Sequence, residues 1–341
     1  MTLIKRLLFP LFALVFTACP FPPDDYEFKY TTIVTDTPTN LEGINSAYDD
    51  YNSDLPYPYH SLTINFSSNR KSKGVHFDII QRGLHLSYHE KDDVLDLHYS
   101  YPDNTYTSFE DILFDLVNSS DDQLGPLSFW GPEEYSYFFY ADDHNGDFDI
   151  WFTHHLKSDF GTYQAEEIIN GPDTLITINS DADDLYPSFS NDQTSLYFCS
   201  NRENDNFSIY SIGLPEAAEL HEFITSNEPG DPLLNTVLSS DFNDKCPYIY
   251  EDIMVFASDR EGGQGGFDLY YSLQENGSWS SPVNFGPEIN SEYDEYRPIY
   301  FSFYSYDFQN LMIFSSDRPG GQGGFDLYMV KTESLVQPTF D

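Results

Sequence analysis

Any chemistry in this chain has to come from its acids and arginines. Arg70, Arg202, Arg260 and Arg318 each follow a Ser-Asn or Ser-Asp pair, and each has an acid upstream, at Asp50, Asp184, Asp244 and Glu295. A guanidinium and a carboxylate form strong, directional hydrogen bonds. The pattern therefore predicts one ion pair per copy, joining two loops at one end of the fold. A pair repeated in copy after copy suits architecture better than a unique site. In the remaining copy, aligned on its aromatic run, Asp143 stands at the arginine position and Gln123 at the acid position.

Other constellations carry less. Asp143, Asn145, Asp147 and Asp149 space their oxygens as a calcium loop does, but no glycine stands sixth and no glutamate twelfth. They are the best metal candidate, with calcium the cation and no other cofactor indicated; the same segment also reads as a plain hairpin turn. The runs Gly262-Gly-Gln-Gly-Gly266 and Gly320-Gly-Gln-Gly-Gly324 lack the Lys-Ser/Thr and the helix of a phosphate loop, so they read as turns. His85, His89 and His98 have no ligand pattern, and no nucleophile elbow is present. A glycosidase would need a unique carboxylate pair at a mouth, and with 57 acids the sequence does not single one out.

The elements that position these residues repeat. Met254–Tyr270 and Met312–Tyr328 carry nearly the same phrase, an apolar run, a glycine-rich break and an aromatic run, 58 residues apart. That is a β-hairpin signature recurring at a long period. Aligned by eye, five copies have anchors at Phe66, Phe139, Phe198, Phe256 and Phe314. A polar phrase such as Ile178-Asn-Ser-Asp-Ala-Asp-Asp184 precedes each, and four of the five continue to a proline (Pro126, Pro187, Pro247, Pro298). A proline there is expected at the start of a strand. With 27 Tyr and 29 Phe, the chain favours pleated surfaces. The expectation is all-β: a propeller of four-stranded blades, five preferred over six. The long gap between the first two anchors is the place where a sixth would fit. The last copy has no fourth strand of its own, so an N-terminal run, Phe28–Ile33, is expected to close the ring.

The repeated phrases resemble the WD-like β-propeller repeat of bacterial envelope proteins, of the kind found in TolB-type propellers. The resemblance spans residues 40–330 and implies a ring that binds partners. The N-terminus agrees with an envelope location. Lys5 and Arg6, an apolar run and Thr17-Ala18 make a signal peptide over 1–18, and Phe16-Thr17-Ala18-Cys19 resembles a lipobox that would lipidate Cys19. Residues 19–27 then form a tether, 28–337 the propeller and 338–341 a tail. Within the propeller, 84–116 reads as partly inserted, with a short amphipathic helix near 108–117 presenting Phe109, Ile112, Leu113 and Leu116.

A net charge of −42 excludes nucleic acid as a partner and leaves a lipid anchor as the only route to a membrane. The expected function is a lipid-anchored binding or scaffold module of the outer membrane, periplasmic or surface-facing, engaging an envelope protein or a glycan without catalysis. The alternative is an extracellular glycan-processing enzyme of glycosidase type, with carboxylates at the propeller mouth. Oligomeric state is not legible in the sequence.

Overall fold

A computed structural model describes residues 30–56, 61–89, 91, 94–100, 109–157, 169–304 and 308–332. The signal segment, Cys19, the tether and the tail lie outside the described residues.

The chain forms five antiparallel sheets, each one blade of a five-bladed propeller. The N-terminal strands β1 (Tyr30–Val34) and β2 (Thr39–Asn40) belong to different blades. Blade one runs from the axis outward as β3 (Asp50–Asp54), β4 (Ser61–Ser68), β5 (Asp78–His89) and β6 (Val94–Ser100), with β1 added at its outer edge. Blade two holds β7 (Gln123–Trp130), β8 (Tyr135–Asp142), β9 (Asp149–Leu156) and β10 (Asn170–Thr174). Blade three holds β11 (Asp184–Phe189), β12 (Ser195–Ser200), β13 (Ser208–Gly213) and β14 (Leu233–Leu234). Blade four holds β15 (Asp244–Tyr250), β16 (Ile253–Ser258) and β17 (Asp268–Glu275), which pairs with both β18 (Ser278–Trp279) and β19 (Val283–Asn284). Blade five holds β20 (Glu295–Tyr304), β21 (Phe308–Ser316) and β22 (Asp326–Thr332), and β2 supplies its fourth strand.

The ring is thus closed by an N-terminal strand, though not by the run expected. Thr39 and Asn40 pair with Met329 and Tyr328, whereas Tyr30–Val34 pairs with Leu95–Tyr99 of blade one. Of the segment expected to be inserted, residues 84–89 and 94–100 are regular parts of β5 and β6. Helix α1 (Phe109–Val117) follows and turns Phe109, Leu113, Phe114 and Val117 inward, so the buried stripe is rotated from the expected one and Leu116 is exposed. Phe114 packs 5.8 Å from Phe138, so the helix covers blade two next to Ile79 of blade one.

The register also corrects the alignment of blade two. Asp50, Asp184 and Asp244 lie opposite Ser68, Ser200 and Ser258, and Gln123 lies opposite Asp142. The equivalent of Phe66, Phe198, Phe256 and Phe314 is therefore Tyr140, and the arginine position falls on His144. All five anchors are buried. Each such ring removed from water contributes about 1.5–3 kcal/mol.

The seams between blades repeat as strictly as the blades. The N–H groups of Phe77, Phe148, Phe207, Phe267 and Phe325 donate to Asp122, Asp183, Asn243, Asp294 and Asp49 of the next blade at 2.7–3.1 Å. The carbonyls of the same phenylalanines accept from the first residue of the next inner strand. At four seams an asparagine (Asn45, Asn118, Asn179, Asn290) also bonds both backbone groups of a residue on the neighbouring third strand; Ser239 does so at the remaining seam. The polar phrases are therefore blade-to-blade connectors. Gly323, in the glycine-rich turn that meets the first of these phrases, shows why a glycine is required there, since a Cβ would collide with the carbonyl of Tyr48 across the closing seam.

The four prolines are not strand starts. Each follows a bulge within the inner strand, at residues with positive φ: Gly125 (59°), Tyr186 (58°), Cys246 (57°) and Arg297 (45°); Asn52 (57°) is the fifth, followed by Ser53. Proline is tolerated there because the bulge leaves the ladder unpaired.

Candidate functional site

The predicted arginines and acids meet at the end that carries the glycine-rich turns. Nη2 of Arg70, Arg202 and Arg260 lies 2.6, 2.6 and 2.5 Å from Asp50, Asp184 and Asp244, and that of Arg318 lies 2.8 Å from Glu295. Each Nη2 also donates to a backbone carbonyl of the polar phrase (Ile44, Ile178, Leu238, Ile289). Each Nε donates to the preceding serine. Each guanidinium also lies over its anchor phenylalanine, 5.0–5.4 Å from the centroid. The carboxylates have no solvent exposure. Burial pushes the Glu295 carboxyl up, against the opposing pull of Ser291 and Arg318. With Nε and Nη2 engaged internally and the carboxylates buried, these groups tie the turn of each blade to its polar phrase.

Blade two fills the same slots differently. Asp142 accepts from Gln123 at 2.7 Å, and His144 meets Asp121 at 2.7 Å, a contact that raises the imidazole pKa. Asp143, Asn145, Asp147 and Asp149 lie on or beside the turn between β8 and β9. Asp143 accepts from the Asp122 N–H, and Asn145 donates weakly to Asp149 at 3.5 Å. Burial lifts Asp149 to about 6. Among the described residues no group of three or more His, Cys, Asp or Glu side chains is placed to hold a metal ion.

The groups that differ from blade to blade are on the axis. The bulges aim Asn52, Tyr186, Cys246 and Arg297 inward, while Gly125 leaves room for the Tyr186 ring, with which a Cβ would collide. Asn52 Nδ2 donates to the Tyr186 hydroxyl at 3.1 Å. Arg297 is fully buried; its guanidinium lies 5.3 Å from the Tyr186 centroid and donates to the Pro126 carbonyl at 3.3 Å. Among the described residues its Nε and Nη1 have no hydrogen-bond partner. Two residues beyond Asn52, at the opposite end of the inner strand from the ion pairs, Asp54 is buried and accepts from the Ser128 N–H at 2.9 Å. Burial lifts its carboxyl to about 6, although the Ser128 bonds and the charge of Arg297 pull the other way. A cavity of about 50 Å³ lies beside Ser128, lined also by Asn65, Gln81 and Phe109. Cys199 and Cys246 are free and buried.

Of this axial set the sequence singles out only Cys246, as a thiol expected to be free and buried. A signal was there: the second residue after each acid is Asn52, Gly125, Tyr186, Cys246 or Arg297, and no two blades agree at that position.

No family model and no curated protein matches the chain. Solved structures do. The catalytic domain of a GH62 α-L-arabinofuranosidase from Coprinopsis cinerea aligns at a TM-score of 0.50 and 9% identity, covering 87% of this chain and 94% of that one. An endo-arabinase from Bacteroides thetaiotaomicron aligns at 0.47 and 13%, covering 88% and 97%. A thermostable family-43 glycoside hydrolase aligns at 0.49 and 10%, covering 87% and 95%. At these identities the likeness establishes the five-bladed ring and nothing finer. The finding nonetheless corrects the leading expectation. The Coprinopsis ring is that of a glycoside hydrolase, which counts against the expectation of a scaffold without catalysis.

Proposed function

We propose that the protein is a glycan-processing enzyme of the bacterial envelope, of glycosidase type, with Asp54 as its proton-transferring carboxyl. The observation that carries this reading is the Asp54 carboxyl itself. It is buried near the ring axis, unmatched at its position in the other blades, and lifted to about 6. A carboxylic acid that still holds its proton up to about pH 6 is suited to general-acid cleavage of a glycosidic bond. Arabinose-containing glycans are the first substrates to test, because the Coprinopsis ring is named for that activity. The second carboxylate is to be sought at the same end of the ring, where the turns between first and second strands carry Glu133, Glu134, Glu251 and Asp252. Asp192, on the same turn of blade three, is occupied by Ser190 and Thr194. The lipobox-like Phe16–Cys19 and the TolB-type resemblance of the repeats support the envelope location and the lipid anchor.

The test is release of reducing sugar from arabinan and from an aryl α-L-arabinofuranoside. Asp54→Asn should lower kcat about 10²–10⁴-fold. Its effect on stability has the opposite sign. A folded pKa of about 6 lies above the unfolded value of ~3.9, so ionised Asp54 destabilises the fold above pH 6. That penalty fades as pH falls through 6 and is gone below about 4. Asp54→Asn should therefore stabilise the protein at pH 7–8 by up to about 3 kcal/mol, read by urea unfolding. A variant that is more stable yet fully active would remove Asp54 from the mechanism.

A further inference from the structure

We propose that the mouth of the ring at the ion-pair end, opposite Asp54, is a docking surface for a basic segment of a partner protein, which seats a lysine or arginine side chain against the seam phenylalanines. This is independent of the glycan reading and is tested without reference to activity.

The seam phenylalanines converge on the axis. Phe77, Phe148 and Phe207 share one apolar cluster with residues from all five blades. Phe325 lies 5.7 Å from the Tyr51 ring and 6.1 Å from that of Tyr296, and Phe267 lies 4.5 Å from Tyr296. Apart from Phe207, the seam rings are only partly buried, so this end of the axis presents aromatic surface of the kind that protein contacts favour. The charges beside these rings are not balanced. Asp49, Asp122, Asp183 and Asp294 each accept the N–H of a seam phenylalanine, and Asn69 and Asn201 donate to Asp49 and Asp183. All of these donors are neutral. The repeat arginines at this end are engaged with the inner-strand acids, and among the described residues none of the four seam carboxylates forms an ion pair. The mouth is therefore an aromatic floor with uncompensated negative charge at its edge, which is complementary to a cation.

The remaining seam shows how such a cation sits. There Asn243 stands in place of the carboxylate, and Lys245 of the chain itself lies over Phe207, with Nζ 3.8 Å from the ring centroid. Where the chain brings its own lysine, the acid is replaced by an amide. At the other four seams the acid is kept, and among the described residues no lysine or arginine lies over Phe77, Phe148 or Phe325. A ring face with a carboxylate alongside recognises an ammonium or guanidinium by its charge and its apolar stem together. Phe148, beside Asp183, forms no ring contact among the described residues, and its face is the primary seat for the incoming side chain.

The probe is a fluorescein-labelled peptide of alternating lysine and glycine, followed by anisotropy as the purified full chain is added. Salt at about 0.15 M screens diffuse attraction to so acidic a protein. Binding should saturate at one peptide per chain. Phe148→Leu, and Asp183→Asn, a change whose seam bond Asn243 already makes in blade four, should each weaken it about three- to tenfold. Glu275→Gln, which removes an exposed acid from the hairpin joining β17 and β18, should leave it unchanged. Lys245→Met frees the Phe207 face and should tighten binding, whereas Lys91→Met, the same change of charge away from the mouth, should not. If Glu275→Gln weakens binding as much as Asp183→Asn and Phe148→Leu has no effect, the attraction is diffuse and the proposal falls. A mouth that takes an uncharged arabinan oligosaccharide and not the peptide overturns it in favour of a glycan. Binding that never saturates, or Lys245→Met behaving as Lys91→Met does, also overturns it, and both readouts stand even if Phe148→Leu fails to fold.

Discussion

Blade four and blade two answer the same structural demand with opposite polarity. In blade four the inner strand supplies a carboxylate, Asp244, and the turn supplies the cation, Arg260. In blade two the inner strand supplies an amide, Gln123, the second strand supplies the carboxylate, Asp142, and the arginine slot holds an exposed histidine. Both arrangements satisfy the buried donors and acceptors, but only blade four ties the glycine-rich turn to the polar phrase with a buried charge pair. What the fold specifies at this slot is a satisfied hydrogen-bond circuit, and the side chains that provide it are negotiable.

Three substitutions probe that contrast, in falling order of expected effect. Arg260→Ala strands the buried Asp244 carboxylate and should cost about 3–5 kcal/mol in urea unfolding. A cost below about 1 kcal/mol would mean that the pair contributes little beyond a surface bridge. Gln123→Asp places a second carboxylate against Asp142 and should cost about 2–3 kcal/mol at pH 7, less in acid, where one of the two protonates. Adding Asp142→Ser and His144→Arg recreates the blade-four circuit and should recover the loss; failure to recover would show that blade two differs in backbone as well as in side chains. His144→Ala removes an exposed contact to Asp121 and should leave the unfolding midpoint unchanged.

The same contrast explains how much could be read from the sequence. Four copies align because Ser-Asn/Asp-Arg follows the anchor phenylalanine at fixed spacing. Blade two offers Tyr137-Phe138-Phe139-Tyr140, a run in which strand alternation alone does not say which ring faces inward. Aligned on Phe139, the blade is therefore one residue out of step, and Asp143 falls in a slot that belongs to His144. The latch escaped notice for a related reason. Thr39–Asn40 is too short to carry a pattern, while the longer run before it belongs to blade one. The axial residues were hidden by the bulge: a strand read with period two sends Asn52, Tyr186 and Arg297 to a face, and positive φ redirects them to the centre. The repeats thus made the frame legible and concealed Asp54 and Arg297, whose meaning depends on residues from other blades.

The placement of β1 has a mechanical consequence. The two-residue latch of β2 and its neighbouring seam bonds close the ring, and a load carried directly to them would open the last blade. The chain instead runs from its N-terminal side through the five-residue ladder of β1 on blade one before it reaches the latch. A pull on that side is borne first by a strand whose release leaves five complete blades. The first strand is a fuse: its peeling absorbs extension in a local, refoldable step and keeps tension away from the closure on which the ring depends.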